Sequence, residues 1–76
     1  MNPGEIIKTA RLREGVSQRE LGRRSKVSRG DISHYENGKQ TPNMITMWRL
    51  MDALDYEIVF KPRYKGGYAK QRRKTR

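Results

Sequence analysis

The chain has 76 residues, enough for one small domain, and it contains no cysteine. The sequence therefore excludes disulfides and thiolate metal sites, and a single histidine, His34, excludes a cluster of histidine ligands. No apolar run reaches the roughly 18 residues of a membrane span, and the amino terminus lacks the basic-then-apolar pattern of a secretion signal. We expect a soluble, cytoplasmic protein that needs no metal or other cofactor.

Basic side chains outnumber acidic ones by 18 to 8, so the formal net charge is +10. The excess lies at the carboxyl end, because residues 1–60 hold ten basic and eight acidic side chains, whereas residues 61–76 hold eight basic and no acidic ones. Such a polybasic tail suits a polyanion, either nucleic acid or an acidic membrane surface. The alternative is a solvated, disordered terminus that serves only solubility.

Helix start and stop signals, together with apolar residues at helical spacing, predict four helices within residues 1–55. Proline at the first position starts the first helix, and Ser-x-x-acid caps at Ser17 and Ser28 start the next two. The fourth is predicted to begin at Thr41-Pro42, a cap residue with proline just inside the helix. The approximate spans are residues 3–14, 18–24, 28–36 and 42–54.

Two apolar features exceed what a four-helix core needs. Apolar residues cover more than half of the circumference of the fourth helix, so we expect it also to pack against something outside its own chain. Tyr56, Ile58 and Phe60 alternate with other residues, which predicts a β-strand. Because the sequence shows no second strand pattern, pairing with the same strand of another copy would satisfy its backbone. The alternative is an apolar strap lying on the helices.

The second and third predicted helices are short and are joined by a three-residue turn, which is typical of the helix-turn-helix unit. An ordinary helical hairpin in a small bundle is the alternative. Near the start of the third helix the outward residues are hydrogen-bond donors and bare backbone: Ser28, Arg29, Gly30, Ser33 and His34. The major groove of DNA, about 12 Å wide, admits one such helix. The pattern therefore predicts a recognition helix over residues 28–36.

Four segments stand at the spacing of the phage-repressor/Cro-like (XRE-type) helix-turn-helix family, which the chain resembles over residues 5–55. They are Ser17-Gln18-Arg19-Glu20-Leu21-Gly22, Val27-Ser28-Arg29-Gly30-Asp31-Ile32-Ser33, Tyr35-Glu36-Asn37-Gly38-Lys39 and Thr41-Pro42. The resemblance implies an all-α, compact, lambda-repressor-like domain of four helices that binds operator DNA as a homodimer, usually to repress transcription. A strand after the last helix resembles HipB-like and HigA-like antitoxins, and in HipB-like members it pairs across the dimer.

The chemistry of four residues near the start of the third helix suggests how they would meet DNA. Arg29 can bind O6 and N7 of a guanine with its planar guanidinium, unless it contacts phosphate or stays solvated. Gly30 costs about 1 kcal/mol relative to alanine in a helix. Glycine would let a base pair approach the backbone closely; the alternative is that it has no role at this position. Ser28 caps the helix and can also donate to a phosphate. Ser33 points outward on the reading face.

The resemblance implies roles for four further residues. Gln18 would contact a phosphate and brace the recognition helix, the alternative being simple solvation. His34 matches a base-contacting position, although a lone surface histidine is more often passive. Asn37 and Lys39 would face the sugar-phosphate backbone, and Asn37 also suits the turn that ends the helix.

An ion pair between the first helix and the end of the recognition helix is also implied by the resemblance. The matching residues are Arg11 and Glu36. The pair would set the angle of the recognition helix and could aim Arg11 at a phosphate, whereas two independent surface charges are the alternative.

The residues and the resemblance together predict a sequence-specific double-stranded DNA-binding transcriptional regulator, a homodimeric repressor. Residues 1–55 would form the DNA-binding domain, residues 56–62 the dimerisation strand and residues 63–76 a flexible basic tail. No P-loop, zinc spacing or nucleophile elbow indicates an enzyme. One alternative is an antitoxin with a cognate toxin as a second partner, and another is an RNA-binding protein that uses the basic tail. Membrane-surface attachment ranks last, since no apolar stripe adjoins the basic run.

Overall fold

The structure, a computed structural model, describes residues 2–63, and this part of the chain forms four helices and no strand. The all-α class predicted from the sequence is confirmed. None of these helices has the length and apolarity needed to cross a membrane, the longest having 11 residues. Their bounds are α1 Pro3–Arg13, α2 Gln18–Ser25, α3 Arg29–Glu36 and α4 Met44–Ala53.

The caps predicted for α2 and α3 are confirmed. The Ser17 hydroxyl oxygen accepts a hydrogen bond from the Glu20 N–H at 3.0 Å, and the Ser28 hydroxyl oxygen accepts one from the Asp31 N–H at 3.1 Å. Each bond satisfies one of the backbone donors that a helix start leaves without a partner. The cap chemistry therefore sets where both helices of the helix-turn-helix unit begin.

The predicted start of α4 is wrong by two residues. Asn43, not Thr41, is the cap, and its side-chain oxygen accepts from the Thr46 N–H at 2.8 Å. Asparagine and threonine are both good caps, and proline also suits the extended segment before a helix, so local chemistry does not choose between the two starts. Pro42 is buried in this extended segment.

The turn between α2 and α3 contains a residue with left-handed backbone. Lys26 has φ +66° and ψ 25°, and its N–H donates to the Gly22 carbonyl. Only glycine adopts this conformation freely, and other residues incur a cost of about 1–2 kcal/mol. The turn therefore holds Lys26 in a conformation that glycine would adopt without this cost.

Each helix contributes one fully buried aliphatic side chain to a single core. The four are Ile7, Leu21, Ile32 and Leu50. Burying each one contributes roughly 1.5–3 kcal/mol relative to leaving it in water. Since α1 packs on α3 and α4, and α2 also packs on α3 and α4, this core fixes α3 from its inner side and leaves its outer side free.

α1 and α3 approach each other closely at Gly4. A Cβ added there would lie 1.9 Å from the Tyr35 carbonyl oxygen and 3.3 Å from the Glu36 Cα, both on the last turn of α3. Because backbone cannot yield as a flexible side chain can, Gly4→Ala should push the two helices apart. We expect it to lower the free energy of unfolding by about 1–3 kcal/mol. Urea unfolding measures the loss, and a midpoint equal to that of the unaltered protein would contradict this packing.

Residues 56–63 follow α4 without helix or strand. Tyr56 and Ile58 pack partly on the core, as their alternation predicts, but Phe60 is 72% exposed and does not join them. The predicted strand pairing requires a second copy and stays a prediction. The predicted basic tail lies, from residue 64 onward, outside the described residues.

Candidate nucleic-acid interface

The start of α3 faces outward, as a recognition helix requires. Its inner side is held by Ile32 and Tyr35, which are buried. The residues predicted to read DNA lie on the other side, where Ser28, Arg29, Gly30 and His34 are exposed and Ser33 is partly buried. The first two turns of α3 can therefore meet a groove without any rearrangement of the core.

A hydrogen-bonded network joins the three helices around the Glu36 carboxylate. Arg11 donates to it twice, from Nε to Oε2 and from Nη2 to Oε1, both at 2.8 Å. Gln18 donates from Nε2 to Oε1 at 3.0 Å. The predicted Arg11–Glu36 pair is confirmed, and Gln18 does brace the end of α3. This network ties α1 and the start of α2 to the last residue of α3.

Arg11 uses most of its hydrogen-bond donors within the protein. The residue is 9% exposed, and its Nη1 donates to the Val16 carbonyl oxygen at 3.0 Å. Three of its five N–H donors are thus used internally, which leaves two for an outside partner. The phosphate contact of Arg11 stays a prediction, and the confirmed part of its role is to hold Glu36.

The network keeps the Glu36 carboxylate ionised. Burial disfavours its charged form, but hydrogen bonds from Arg11 and Gln18, with the charges of Arg11 and Lys8, outweigh this effect and lower the pKa of Glu36. The hydrogen bonding of Arg11 to the Glu36 carboxylate, in which Arg11 is the donor, raises the pKa of Arg11 against the opposing effect of burial. The pair therefore stays charged at neutral pH.

A cleft opens between the start of α2 and the start of α3. Its lining residues are Arg11, Ser17, Gln18, Arg19 and Arg29. Three of these are cations and none is an acid, and helix starts add backbone N–H groups that suit phosphate oxygens. The structure therefore brings Arg11, Gln18 and Arg29 together, as a DNA-facing site requires.

Arg19 belongs to this cleft, and the sequence analysis missed it. The signal was its position: a cation in the first turn of α2 lies against the positive end of the helix dipole, where acids are favoured. Arg19 is exposed and, within residues 2–63, makes no salt bridge. A phosphate would supply the missing counter-charge.

Asn37 and Lys39 lie beyond the other end of α3 and are exposed. The Asn37 side-chain nitrogen donates to the Ser33 hydroxyl at 3.4 Å, and the Lys39 N–H donates to the His34 carbonyl oxygen at 2.8 Å. Asn37 directly follows Glu36, whose carboxylate accepts hydrogen bonds from the cleft residues Arg11 and Gln18. Asn37 and Lys39 therefore lie beside the end of α3 that this network holds.

Gly30 has no packing reason to be glycine, because an added Cβ would meet only the Ser28 hydroxyl oxygen at 4.0 Å. We expect Gly30→Ala to raise the free energy of unfolding by about 0.5–1 kcal/mol, since alanine is the better helix former. If DNA approaches the backbone here, the same change should weaken operator binding. Urea unfolding and fluorescence anisotropy with duplex DNA measure the two effects, and binding that is unchanged or stronger would contradict close approach at Gly30.

The chain belongs to the helix-turn-helix family, which it matches over residues 7–61, and the XRE-type resemblance is thereby confirmed. It is 37% identical over 57 residues to an uncharacterized HTH-type transcriptional regulator, y4dL, from Sinorhizobium fredii (strain NBRC 101917 / NGR234). The match covers 75% of this chain and 29% of that protein, so the chain spans less than a third of its relative's length.

Proposed function

We propose that this protein binds a specific operator in double-stranded DNA as a homodimer and represses transcription by covering a promoter. The observation that carries the proposal is the outward, unobstructed start of α3, supported from behind by the Glu36 network. Two such helices, about 34 Å apart in a symmetric dimer, would enter successive major grooves on one side of the duplex. This function needs no cofactor, and it belongs in the cytoplasm.

The residues divide into those that position the protein and those that read bases. Phosphate contacts set register and orientation, whereas sequence is read at base edges. We assign the cleft residues Gln18 and Arg19, with Asn37 and Lys39 at the far end of α3, to the phosphates. Arg29 is assigned to the base edges, together with Ser33, His34 and the bare backbone at Gly30, while Ser28 caps the helix beside a phosphate.

The outer face of α4 supports a dimer. Met44, Ile45 and Trp48 are 51%, 68% and 55% exposed, so the surplus of apolar residues predicted for this helix does lie on the surface. Apolar side chains grouped in this way commonly mark an interaction site. A second copy of the chain is the partner that a two-fold operator complex requires. In this arrangement residues 1–55 bind DNA and residues 56–62 extend the dimer contact.

Selection of bound duplexes from a random pool, followed by footprinting, tests the proposal. We expect a two-fold symmetric site whose half-sites lie about 10 base pairs apart. Structured RNA added as competitor at about 150 mM salt should not displace the selected duplex, since binding that depends only on charge weakens steeply with salt. A pool without an enriched motif, or a duplex displaced by the RNA, would overturn the proposal and favour the RNA-binding alternative.

An antitoxin that also represses its own promoter is the second candidate. It is favoured by the exposed apolar residues of α4 and of residues 56–60, which exceed the needs of the core. Purification of the protein from its own host, with a stoichiometric second polypeptide retained through operator binding, distinguishes an antitoxin from a simple repressor.

Arg19→Ala should weaken binding to all DNA sequences equally. The loss of one phosphate contact per half-site reduces the slope of log affinity against log salt by about one for each half-site. Anisotropy titrations over a range of salt concentrations measure this slope. Arg24→Ala is the matched control, because Arg24 lies on the same helix but donates to Glu20. Hydrogen bonds from Arg23 and then Arg24 lower the pKa of Glu20 to about 2, so Arg24 already has an ionised carboxylate as its partner. Equal slopes for the two variants would remove Arg19 from the interface.

A further inference from the structure

An apolar groove lies away from α3, between α1, α4 and the start of the segment that follows α4. It is lined by Ile6, Thr9, Ala10, Arg13, Met51 and Tyr56. The Tyr56 hydroxyl donates to the Glu14 carboxylate at 3.2 Å, which holds one wall of the groove against α1. None of these residues belongs to α2 or α3, so the groove is separate from the DNA interface.

The same chain displays an aromatic side chain that its own core does not use. Phe60 is 72% exposed and Val59 is 66% exposed, whereas Ile58 packs partly on the core. Within residues 2–63, Tyr56 is the last residue whose backbone N–H donates to another backbone group. Phe60 therefore lies in a segment whose backbone N–H groups have no backbone partner. It is four residues after Tyr56, which lines the groove of the same chain.

We propose that Phe60 of each copy inserts into the groove of a second copy, an inference that rests on the homodimer of the proposed function. In a two-fold dimer each chain must contribute both the inserted side chain and the groove that receives it. This chain has both. Ile6 and Met51 would contact the ring, with sulfur against the aromatic face or edge, and Arg13 could lie over the ring as a cation.

Two observations favour a second copy over other occupants. Met44, Trp48 and Met51 follow at i, i+4 and i+7, so Met51, which lines the groove, lies on the same side of α4 as the exposed Met44 and Trp48. The remainder of this chain is a poor occupant, because residues 61–76 carry eight basic side chains and no acid, and the groove already contains Arg13. One second copy would thus cover both the groove and the exposed apolar face of α4.

Two substitutions test the inserted side chain and the groove independently. Phe60→Ala removes the ring, and Thr9→Trp fills the groove from an exposed position on α1. Burial of one phenylalanine corresponds to about a tenfold change in affinity or more, and each symmetric dimer contains two insertions. We expect both variants alone to dimerise about a hundredfold more weakly than the unaltered chain, as measured by sedimentation velocity over a range of concentrations.

Mixing the two variants provides the decisive measurement. In the mixed dimer, Phe60 of the Thr9→Trp chain meets the open groove of the Phe60→Ala chain, so one insertion is restored. We expect this mixed dimer, followed by energy transfer between differently labelled chains, to be about tenfold tighter than either variant with itself. A mixed dimer no tighter than both would overturn the inference, since Phe60 would then act within its own chain or not at all.

Controls keep the result independent of folding and of DNA binding. Lys8→Trp places the same large side chain at a neighbouring exposed position of α1, outside the groove, and should leave the dimer unchanged. Arg13→Trp fills the same groove and replaces Thr9→Trp if circular dichroism shows that the latter alters the helices. An unaltered chain that stays monomeric at all concentrations would overturn both the homodimer and the insertion. A dimer that selects its operator but shows no tightening on mixing would overturn the insertion alone.

Discussion

Arg11→Ala is expected to lower the free energy of unfolding by about 3–5 kcal/mol. The change removes the guanidinium from a carboxylate whose side chain is 3% exposed, while that of Arg11 is 11% exposed. Breaking a buried ion pair on one side costs about 3–5 kcal/mol, because the remaining charge is left without its partner. A domain of this size has a total stability near the lower end of about 5–15 kcal/mol. Circular dichroism with urea or heat measures the loss.

Two variants identify the cause of this loss. Glu36→Gln keeps the shape of the side chain but removes its charge, so a smaller loss than for Arg11→Ala is expected. Replacing both Arg11 and Glu36 by leucine removes both charges together and should recover much of the stability. A loss below about 1 kcal/mol for Arg11→Ala would show that the pair behaves like one on an open surface.

The same network predicts how stability depends on pH. The pKa of Glu36 in the folded protein lies below its ordinary value of 4.5, so the folded state binds the proton less readily than the unfolded chain does. The stabilisation is complete above pH 4.5 and is lost as the pH falls through the lower pKa of the folded state. The double leucine variant should lack this component. Urea unfolding between pH 3 and pH 7 compares the two proteins.

Arg29→Ala is expected to have the largest effect on DNA recognition. A bidentate contact from arginine to a guanine contributes about 1–3 kcal/mol of discrimination, and a symmetric operator would lose it in both half-sites. Affinity for the selected operator should fall at least about thirtyfold, and a new selection should show no preference at one position of each half-site. Stability should not change, because Arg29 is exposed and lies outside the core.

Arg29→Lys is the matched control, since it keeps the charge but cannot form two parallel hydrogen bonds with one guanine. It should retain the salt dependence of binding and still lose discrimination. If Arg29→Ala instead weakened all sequences equally, as expected for Arg19→Ala, Arg29 would be a phosphate contact. An unchanged preference in the selection would remove Arg29 as a base reader.

Much of the fold could be predicted because its signals are local. Ser17 and Ser28 start their helices with hydrogen bonds to residues three positions away, and Gly15 and Gly38 stop theirs with positive φ. Such contacts form within one helical turn, so the amino-acid sequence alone is enough to locate them. The start of α4 was misplaced because Thr41 and Asn43, two positions apart, are both residue types that cap helices.

The sequence by itself determined the four helices, the outward polar start of α3 and the surplus of apolar residues on α4, because periodicity within one helix decides each of them. The tertiary structure alone decided the close approach at Gly4, the meeting of Arg19 with Arg29 in one cleft, and the groove beside Met51. Each of these joins residues from different helices, and their distance depends on how the helices pack. The Arg11–Glu36 pair was expected only through family resemblance, since 25 positions separate the two residues and no local pattern connects them.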